Sequence, residues 1–487
     1  MGLRTASAYR ESVRDGRRLI YRGQEVEDVT AHRSLRRTID HASALFDHPS
    51  EGPHDLWTFW DSGLDEEVSA YFKRPTDAAG LRHRGDLIEE TTRRARSTLN
   101  IIKAVGTDAL LGLEQVAPRV DAEHGTDYAR RVREFREHCA REDLAMALAA
   151  TDAKGDRSLP PSAQADPDLH LRVVSRDSQG IVVRGAKLHT TAAPSANELI
   201  CIPCRAMSED DAEYALAFAV PLNASGLTMI SHPLVDGAAA EHPVSSRNIE
   251  VETLTIFDDV HIPSDRVFLC GEHQYAGAVA TAFANFHRYT AISYKPPFVD
   301  LLIGAAALAA DQLGITNASA TRDKLARLIV YGELIRTTRL AAAERCTIDE
   351  LSGLAIPDPV ATNAGKYHFA SGFHEAVALV QDLAGGLVVT APGIEDLEHR
   401  EFGASVEKYL AGRAGVGGRE RWELVQLIRD LTASEFGGYN YVVTLHGEGS
   451  LGAQLVQSLR TYDVERCVRE VRSILDMSAV PAPEPVG

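Results

Sequence analysis

Apolar residues recur every three or four positions in the first third of the chain. Between Asp86 and Ala150 this spacing covers the stretches LIEETTRRARSTLNIIKAV and TDYARRVREFREHCAREDLAMALAA. It places apolar side chains on one face of an α-helix, and Ala and Leu, which favour helices, are abundant there. The pattern predicts an N-terminal helical region.

The pattern changes to alternation in residues 169–270, where β-branched residues become frequent. The alternating runs are LHLRVV, GIVVRGAKLHTT, ELICIPCRAM, YALAFAVPL, LTMISHPLV and ETLTIFDDVHI. Gly, Pro, Asn and Asp turns separate them, as is typical of short strands joined in a sheet. We expect a sheet or a small barrel here.

Long helical patterns return from Ala276 onward, in DLLIGAAALAADQLG, ATRDKLARLIVYGELIRTTRLAAAERC, FHEAVALVQDLAGG and RERWELVQLIRDLTASEFGGYNYVVTL. They predict a four-helix bundle, followed by a mobile, proline-rich tail, SAVPAPEPVG. The chain therefore divides into three predicted domains: residues 1–150 are helical, residues 151–275 form a central β domain, and residues 276–487 form a helical bundle with the tail.

The charge of the chain narrows the possible partners. It has 51 basic and 69 acidic residues, a net charge of −18. Nucleic acids and anionic membranes bind basic surfaces, so we expect neither and favour a small-molecule partner. No apolar run approaches the roughly 20 residues of a membrane helix, and the N-terminus lacks the apolar core of a secretory signal. We expect a cytoplasmic protein.

The six cysteines are too sparse for a disulfide framework in 487 residues. Cys201 and Cys204 form a CxxC, but they lie in the strand-like NELICIPCRAM, where residues three apart point to opposite faces. We therefore expect buried strand cysteines rather than a redox pair, and we predict no metal site.

A charged, proline-rich segment, TDAKGDRSLPPSAQADPDLHLRVV, joins the first helical region to the strands. We call residues 151–168 of this segment the elbow. Its prolines limit the freedom of a loop that presents Lys154, Gly155, Asp156 and Arg157, so these polar groups lose little entropy on binding. Such a loop suits the polar edge of a ring. The alternative is a salt-bridged surface turn.

Several long strings, in order, resemble the family that unites 4-hydroxyphenylacetate 3-monooxygenases with 4-hydroxybutyryl-CoA dehydratase. They are the elbow, GIVVRGAKLHTT, EHPVSSR, LTIFDDVHIPSDRVFL, FHRYTAISYK, IGAAALAADQLG, DLAGGLVVTAP and LHGEGSLGAQ. The resemblance runs from about Arg4 to Asp476. It implies an α+β, acyl-CoA-dehydrogenase-like fold, with an N-terminal helical region, a central β-barrel or sheet domain and a C-terminal four-helix bundle.

The resemblance also implies an FAD site. In the family the elbow holds the isoalloxazine ring, together with Thr191 and a glycine-rich loop. That loop corresponds here to Gly447, Glu448, Gly449 and Ser450, and its glycines would let the backbone approach the cofactor. By itself the loop could equally be a turn that ends a helix.

The dehydratase branch uses a [4Fe-4S] cluster bound by three cysteines and one histidine, because a Lewis-acidic iron removes a poor hydroxyl leaving group. The resemblance places the histidine at His287. It places the cysteines at Asn100, Ala104 and Tyr294, which are not thiolates, so we predict that no iron-sulfur cluster assembles. Tyr294 would fill the vacated space or contact substrate.

The phenol hydroxylases place an arginine, a tyrosine and a histidine around the substrate hydroxyl. These positions correspond to Val105, Ala109 and Leu148, which are all apolar, so the expected substrate is larger, different or more apolar than a simple phenol. EHPVSSR, in contrast, resembles the monooxygenase branch.

Three polar residues are candidates for proton transfer, because they resemble dehydratase positions near substrate and flavin: His287, Lys295 and Glu252. Together such groups can relay a proton near neutral pH. Each also has a plainer interpretation: a packed structural histidine, a solvated lysine at the start of a helix before Pro296, and a strand glutamate facing water.

Three functions remain open. The first is a two-component monooxygenase that hydroxylates or epoxidises a medium-sized, aromatic substrate through a flavin hydroperoxide. A separate reductase supplies the reduced FAD, either by binding this protein or only by diffusion of the reduced flavin. The second is a redox-neutral FAD-dependent lyase or isomerase without iron, and the third is an idle flavoprotein. In the family such bundles meet as tetramers, so we expect a homotetramer.

Overall fold

The computed structural model describes residues 3–47, 54–234 and 236–475, so the predicted mobile tail lies outside the described residues. The helices in these ranges are α1 (Ala6–Ser12), α2 (Arg36–Ser43), α3 (His54–Trp57), α4 (Ala78–Arg94), α5 (Ala104–His124), α6 (Tyr128–Arg141), α7 (Ala276–Gln312), α8 (Ser319–Glu344), α9 (Pro359–Ala384), α10 (Leu387–Thr390), α11 (Ile394–Leu397), α12 (Gly403–Leu410), α13 (Gly418–Thr432), α14 (Glu435–His446), α15 (Leu451–Thr461) and α16 (Val464–Ile474).

The strands are β1 (Leu19–Tyr21), β2 (Gln24–Glu25), β3 (Thr58–Asp61), β4 (Glu66–Ser69), β5 (Met146–Ala149), β6 (Arg172–Arg176), β7 (Gly180–Thr191), β8 (Glu198–Cys201), β9 (Leu216–Pro221), β10 (Leu227–Ser231), β11 (Glu252–Pro263), β12 (Val267–Cys270), β13 (Thr347–Ile348) and β14 (Ala355–Ile356). The six strands predicted from alternation, β6 to β11, are all present. In β7 and β11 alternate side chains are buried, which is the physical basis of that pattern.

The β region consists of two sheets. One has six strands in the order β2-β1-β10-β11-β7-β6, and the other has four strands in the order β12-β9-β8-β5. The buried rings of Phe218 in β9 and Phe257 in β11 meet edge to face, with centroids 6.1 Å apart. The two sheets therefore pack against each other.

The sequence predicted a helical N-terminal region, but this region also contains strands. Met146–Ala149 forms β5, which pairs in parallel with β8, and β1 pairs in parallel with β10. All four residues of β5 are buried, so the segment has no polar face. A short apolar run of this kind cannot be distinguished from a helix by its periodicity.

The predicted C-terminal helical bundle is confirmed. The helices α7, α8 and α9 pack together: Gly332 of α8 faces Val299 of α7, and the Tyr331 hydroxyl donates a hydrogen bond of 2.6 Å to the Phe369 carbonyl in α9. From α13, the Thr432 carbonyl accepts a hydrogen bond of 3.1 Å from Gln381.

The helix α7 begins twenty residues earlier than a helix starting at Pro296 would. It runs without interruption through Pro296 and Pro297, so Lys295 lies inside the helix and is buried, not solvated at a helix start. Two prolines remove two backbone donors from the helix. Burial of apolar side chains on both sides of them outweighs that loss.

The N-terminal helices pack on α7 and position its site residues. In α5, Gly112 lies so close to the backbone of Phe283 in α7 that a Cβ atom would come within 2.7 Å of its nitrogen. The Tyr289 hydroxyl of α7 donates to the Leu81 carbonyl of α4 at 2.8 Å. In the described part of the chain, no helix combines the length and apolar character that crossing a membrane requires.

Candidate functional site

The base of the elbow is fixed on β7. The Leu188 backbone N–H donates to the Thr151 carbonyl at 2.7 Å, and the buried Asp152 carboxylate pairs with the Lys187 ammonium at 2.8 Å. Burial opposes ionisation of Asp152, but the charge of Lys187 is strong enough to lower the pKa of the carboxyl to about 2. The elbow therefore starts from a rigid anchor three to four residues before Thr191.

The tip of the elbow is shaped by one glutamine that the sequence analysis did not single out. The Gln164 side-chain amide accepts a hydrogen bond of 2.9 Å from the Asp156 N–H and donates one of 2.8 Å to the Asp156 carbonyl. Gly155 has φ +51° and lies directly against this amide, where a Cβ atom would collide with it. Glycine is needed here for that reason.

The exposed charges of the elbow are not paired with the protein. Lys154 and Arg157 are exposed, and in the described ranges neither side chain makes a hydrogen bond or ion pair. The Asp156 carboxylate accepts hydrogen bonds there only from Ser158, two residues further along the chain. A salt-bridged surface turn would pair these charges. Free cationic donors on a rigid loop instead fit the polar groups of a flavin.

Thr191 and Glu252 are neighbours, as the predicted site requires. They are partners across the β7–β11 pair, and the Thr191 hydroxyl donates to the Glu252 carboxylate at 2.9 Å. The Tyr439 hydroxyl of α14 donates to the same carboxylate at 2.8 Å, and the Tyr439 ring stacks on His232. Glu252 is thus a fixed, half-buried acceptor and not a strand residue facing water.

The glycine-rich loop, Gly447 to Ser450, joins α14 to α15. Glu448 has φ +55° and Gly449 has φ +95°. A Cβ atom on Gly449 would lie 2.7 Å from the Arg288 guanidinium, whose Nε donates to the Glu448 carbonyl at 2.8 Å. The Ser450 side chain caps α15. Close packing on Arg288 explains Gly449, and the cofactor role of this loop stays a prediction.

The Glu448 side chain points into the bundle, where it meets a buried group of polar residues. It accepts hydrogen bonds from the Tyr294 hydroxyl and, at 3.1 Å, from Lys295, and its second oxygen lies 3.4 Å from the Lys366 ammonium. Lys295 also donates to the Tyr294 hydroxyl at 2.8 Å. We call these four residues the buried proton cluster.

The buried proton cluster can exchange protons near neutral pH. Burial, followed by the charge of Arg288, lowers the pKa of Lys366 to about 7. Burial, followed by the charge of Lys366, lowers the pKa of Lys295 well below its usual range. Burial raises the pKa of Glu448 to about 8, although Arg288 opposes this shift. The groups are in contact, so these protons belong to the cluster as a whole.

His287 lies apart from the cluster, two turns earlier on α7. Its Nδ1 is 3.0 Å from the Asp108 carboxylate of α5, which also accepts from Arg84 at 2.7 Å and from Thr290 at 2.8 Å. Its ring stacks on Phe283. Among the described contacts, no hydrogen bond or ion pair joins any two of His287, Lys295 and Glu252, so the three predicted catalytic residues lie in three separate groups.

The predicted apolar substrate residues lie on the α5 side of the site. Val105 and Ala109 flank Asp108 on α5, and Leu148 is in β5, which α5 meets where Gly106 packs on Met146. All three are buried. Their contact with substrate stays a prediction.

A cavity lies between the helices α7, α9 and α14 and the loops that carry Thr98 and Asn248, with about 600 Å³ of empty space when its open mouth is included. Tyr294 and Lys295 line one wall, and Phe298, Phe369 and Phe436 make it aromatic. The polar remainder consists of side chains that the sequence analysis missed: Thr98, Asn248, Glu250, Tyr439, Asn440 and Thr444. Val105, Ala109 and Leu148 do not line this cavity.

Two of the missed residues left a signal in the sequence. Asp108 in AVGTDALLGL and Lys366 in ATNAGKYHFASGF are each the single Asp, Glu, Lys or Arg of a helical stretch that consists mostly of apolar or small residues. A charge at such a position needs a buried partner. Glu250 and Asn248 have no comparable signal, because they lie in an irregular loop.

The residues at the predicted cluster positions do not supply the thiolates of an iron-sulfur cluster. Asn100 donates to the His41 carbonyl at 2.8 Å, Ala104 begins α5, and Tyr294 belongs to the buried proton cluster. Within residues 3–47, 54–234 and 236–475, no group of three or more His, Cys, Asp or Glu side chains is placed to hold a metal ion. Cys201 is buried in β8, as expected, but the same expectation was wrong for Cys204, which lies three residues beyond the end of β8 and is only half-buried.

Relatives of known activity fall into both branches of the predicted family. The chain is 30% identical over 475 residues to 4-hydroxybutyryl-CoA dehydratase/vinylacetyl-CoA-Delta-isomerase of Clostridium aminobutyricum, covering 94% of this chain and 96% of that protein. It is 29% identical over 440 residues to the 4-hydroxyphenylacetate 3-monooxygenase oxygenase component of Thermus thermophilus, covering 89% of each.

Solved structures agree. An oxygen-tolerant archaeal 4-hydroxybutyryl-CoA dehydratase from N. maritimus superposes with a TM-score of 0.93 at 30% identity, covering 99% of this chain and 96% of that one. The oxygenase component of 4-hydroxyphenylacetate 3-monooxygenase complexed with FAD gives 0.88 at 27% identity, covering 97% and 98%. Glutaryl-coenzyme A dehydrogenase gives 0.50 at 12% identity, covering 78% and 79%, so the fold is acyl-CoA-dehydrogenase-like.

Family models give the same result over nearly the whole chain. The model described as 4-hydroxyphenylacetate 3-hydroxylase N terminal matches residues 5–269, and the corresponding C terminal model matches residues 276–476. The chain therefore belongs to the 4-hydroxyphenylacetate 3-hydroxylase family, as its sequence predicted.

Proposed function

We propose that the protein is the oxygenase component of a two-component, FAD-dependent monooxygenase that hydroxylates or epoxidises a medium-sized aromatic substrate with reduced FAD from a separate reductase. The observation that supports this most is which residues occupy two of the positions predicted for the cluster cysteines, and how those residues are hydrogen-bonded. Asn100 and Tyr294 are not thiolates, and both are engaged in other hydrogen bonds. The dehydratase chemistry of the family relies on cluster iron, so the iron-free activity of the family fits this chain better.

The elbow would hold the cofactor. Among the described residues, Lys154 and Arg157 have no side-chain partners, so they can bind polar atoms of the flavin. Thr191 lies at the end of the strand on which the elbow is anchored. When bound, reduced FAD supplies the two electrons needed to activate oxygen. Glu252, fixed by Thr191 and Tyr439, completes a polar wall beside the cofactor position.

The chain itself would hold and move protons. Lys295 and Tyr294 face the cavity, and Glu448 and Lys366 behind them hold protons that exchange near neutral pH. His287 is oriented by Asp108, whose carboxylate favours the tautomer with the proton on Nδ1 and leaves Nε2 as the basic nitrogen. A proton can therefore be given to, or taken from, a reacting group at two places.

The proposal is tested by mixing the full-length protein, loaded anaerobically with reduced FAD, with air-saturated buffer in a stopped-flow spectrometer. We expect a transient species whose absorbance differs from those of both reduced and oxidised FAD. If the flavin oxidises at the rate of free reduced FAD without such a species, or if the protein binds neither form of FAD, the proposal fails.

A redox-neutral lyase or isomerase is the second candidate. The dehydratase/isomerase relative and the buried proton cluster favour it, because moving a double bond requires only that protons leave and return. Vinylacetyl-CoA, which the name of that relative mentions, is a direct probe. Its isomerisation by iron-free, FAD-loaded protein without oxygen or reductant would support this candidate over the monooxygenase.

We also propose that the protein forms a homotetramer. The last two helices expose apolar side chains that a second copy would cover: Leu459 is 71% exposed and Ile474 is 80% exposed. Light scattering of the purified protein measures the mass directly, and a monomer at micromolar concentration would contradict this proposal.

A further inference from the structure

Three of the residues that line the cavity each have a buried polar atom without a hydrogen-bond partner among the described residues. Asn248 Oδ1, Glu250 Oε2 and Asn440 Nδ2 belong to its lining, and none makes a hydrogen bond within the described residues. Glu250 is only 7% exposed. Buried polar atoms are nearly always hydrogen-bonded, and leaving one unpaired is costly. Three such atoms on residues that line one cavity indicate a site for a polar ligand. We call them the polar edge.

The identity of the Asn248 atom at the polar edge is fixed by a neighbouring histidine. Burial lowers the pKa of His41 to about 4, so its ring is neutral at pH 7 and carries one proton. That proton is on Nε2, which donates to the Leu99 carbonyl at 2.6 Å. Nδ1 is then an acceptor, and it lies 3.2 Å from Asn248 Nδ2. The free atom of Asn248 is therefore its carbonyl oxygen.

The state of Glu250 follows in the same way. Its Oε1 accepts a hydrogen bond of 2.8 Å from the Ile101 backbone N–H. Burial raises the pKa of this carboxyl to about 8, despite that hydrogen bond, so it is mostly protonated at pH 7. Since Oε1 is occupied as an acceptor, the proton is on Oε2, which becomes a free donor.

The loop that carries Asn248 and Glu250 is held by hydrogen bonds to a buried carboxylate. The buried Asp430 carboxylate of α13 accepts hydrogen bonds from the Val244 N–H at 2.9 Å, the Ser245 N–H at 2.8 Å and the Ser245 hydroxyl at 2.6 Å. Asn248 and Glu250 follow directly along the chain. The polar edge is therefore preorganised, which favours binding of one ligand geometry.

The polar edge offers one acceptor, Asn248 Oδ1, and two donors, Glu250 Oε2–H and Asn440 Nδ2–H. A ligand group that matches it has an acceptor oxygen next to an N–H donor. The rings of Phe298, Phe369 and Phe436 provide an apolar, planar surface beside it. We propose that this cavity is the substrate site and that it recognises a neutral carboxamide group on an aromatic or similarly flat molecule. This inference rests on the proposed function, because it assigns the cavity to the substrate of that reaction.

A carboxylate ligand would fit less well. It has no hydrogen to donate, so it would place negative charge against Asn248 Oδ1 and leave that acceptor unpaired. Lys295 contributes little positive charge to offset this, since burial and the charge of Lys366 lower its pKa well below the usual range and its nitrogen already donates to Tyr294 and Glu448. An apolar ligand of the same shape would leave the whole polar edge unpaired.

The test compares three probes of one shape: benzamide, benzoate and toluene. Calorimetric titrations of the full-length protein at pH 7 should give benzamide an affinity at least about tenfold higher than either of the others, the value expected from one or more buried polar atoms left unpaired. Equal affinity for all three probes, or binding of none, would overturn the proposal.

Two variants assign any preference to the polar edge. Glu250→Gln keeps an acceptor for Ile101 and a donor toward the cavity, so it should retain the preference for benzamide. Glu250→Leu removes the donor and should lower benzamide affinity about tenfold without changing toluene affinity. If Glu250→Leu does not fold, the proposal is still tested by the three probes on the wild type and by Glu250→Gln. Loss of the preference for benzamide in Glu250→Gln would contradict the assignment of Glu250 as a donor.

These titrations need neither oxygen nor reductant. A protein that prefers benzamide but gives no transient species with oxygen would overturn the proposed oxygenase and leave the amide site intact. A protein that forms the transient species with oxygen but binds benzamide, benzoate and toluene equally would overturn the amide site and leave the proposed oxygenase intact.

Discussion

Replacement of Asp108 by Asn tests whether α5 and α7 are joined by a buried charge. The Asp108 carboxylate is fully buried and accepts hydrogen bonds from Arg84 at 2.7 Å, Thr290 at 2.8 Å and His287 at 3.0 Å. Asn keeps the shape and one acceptor oxygen, but it loses the charge and gives the second position an amide donor. The buried Arg84 guanidinium is then left without a counter-charge.

The expected loss is large. Two unit charges 2.7 Å apart attract by about 6 kcal/mol at an effective dielectric constant of 20, and removing one member of a buried pair typically destabilises a protein by about 3–5 kcal/mol. We expect the free energy of unfolding, measured by urea denaturation at pH 7, to fall by about 3 kcal/mol or more. His287 also loses its orienting carboxylate, so the proton-dependent step of any measured activity should slow.

The control is the same substitution at an exposed ion pair. Asp311 pairs with Arg413 at 2.8 Å, and both side chains are about half exposed. Asp311→Asn should cost less than about 1 kcal/mol, because water screens the pair. If Asp108→Asn and Asp311→Asn change the free energy of unfolding by similar amounts, the Asp108 network does not contribute as argued here.

Three further predictions concern single positions. Folding raises the pKa of Glu250 from 4.5 to about 8, so between these pH values the folded state holds a proton that the unfolded state has lost. The free energy of unfolding of the wild type should therefore fall by up to about 1.4 kcal/mol per pH unit from pH 5 to 8, relative to Glu250→Gln. Parallel curves of stability against pH for the two proteins would contradict this. Gly449→Ala should destabilise by about 1 kcal/mol or more, because of its positive φ and the nearby Arg288, whereas Gly438→Ala, inside α14 with open space around it, should be neutral or stabilising in the same urea measurements. Lys154→Ala should leave stability within about 0.5 kcal/mol of wild type but weaken FAD binding about tenfold by fluorescence titration; unchanged FAD affinity would argue against the elbow as a cofactor site.

Sequence patterns predicted the architecture well where the burial of side chains is periodic. The strands β6 to β11 and the long bundle helices are such cases. Among the features that the sequence did not predict, β5 and the first half of α7 show how local rules can conflict with tertiary burial. β5 has no polar face, and α7 continues through Pro296 and Pro297, since packing of α7 between neighbouring helices outweighs two lost backbone donors.

For the site, the sequence alone predicted roles for the elbow, Thr191, Glu252, Lys295 and Tyr294, because these lie in long strings that resemble a family. Pairing across the fold was beyond it. Tyr439 reaches Glu252 from 187 residues away, and Glu448 meets Lys295 and Lys366 only once two helices and a loop have packed. Likewise, the separation of His287 from Lys295 depends on which neighbouring helix each turn of α7 faces.

The amino-acid sequence by itself determined the family, the order of helical and β regions, and the absence of thiols at three predicted cluster positions, because all of these are properties of residue identity and local periodicity. Only the tertiary structure decided which polar atoms are paired. Hydrogen bonding and burial depend on distances between residues far apart in the chain, and that is why the partners of Gln164 and Asp108, and the polar edge, are visible only in the folded chain.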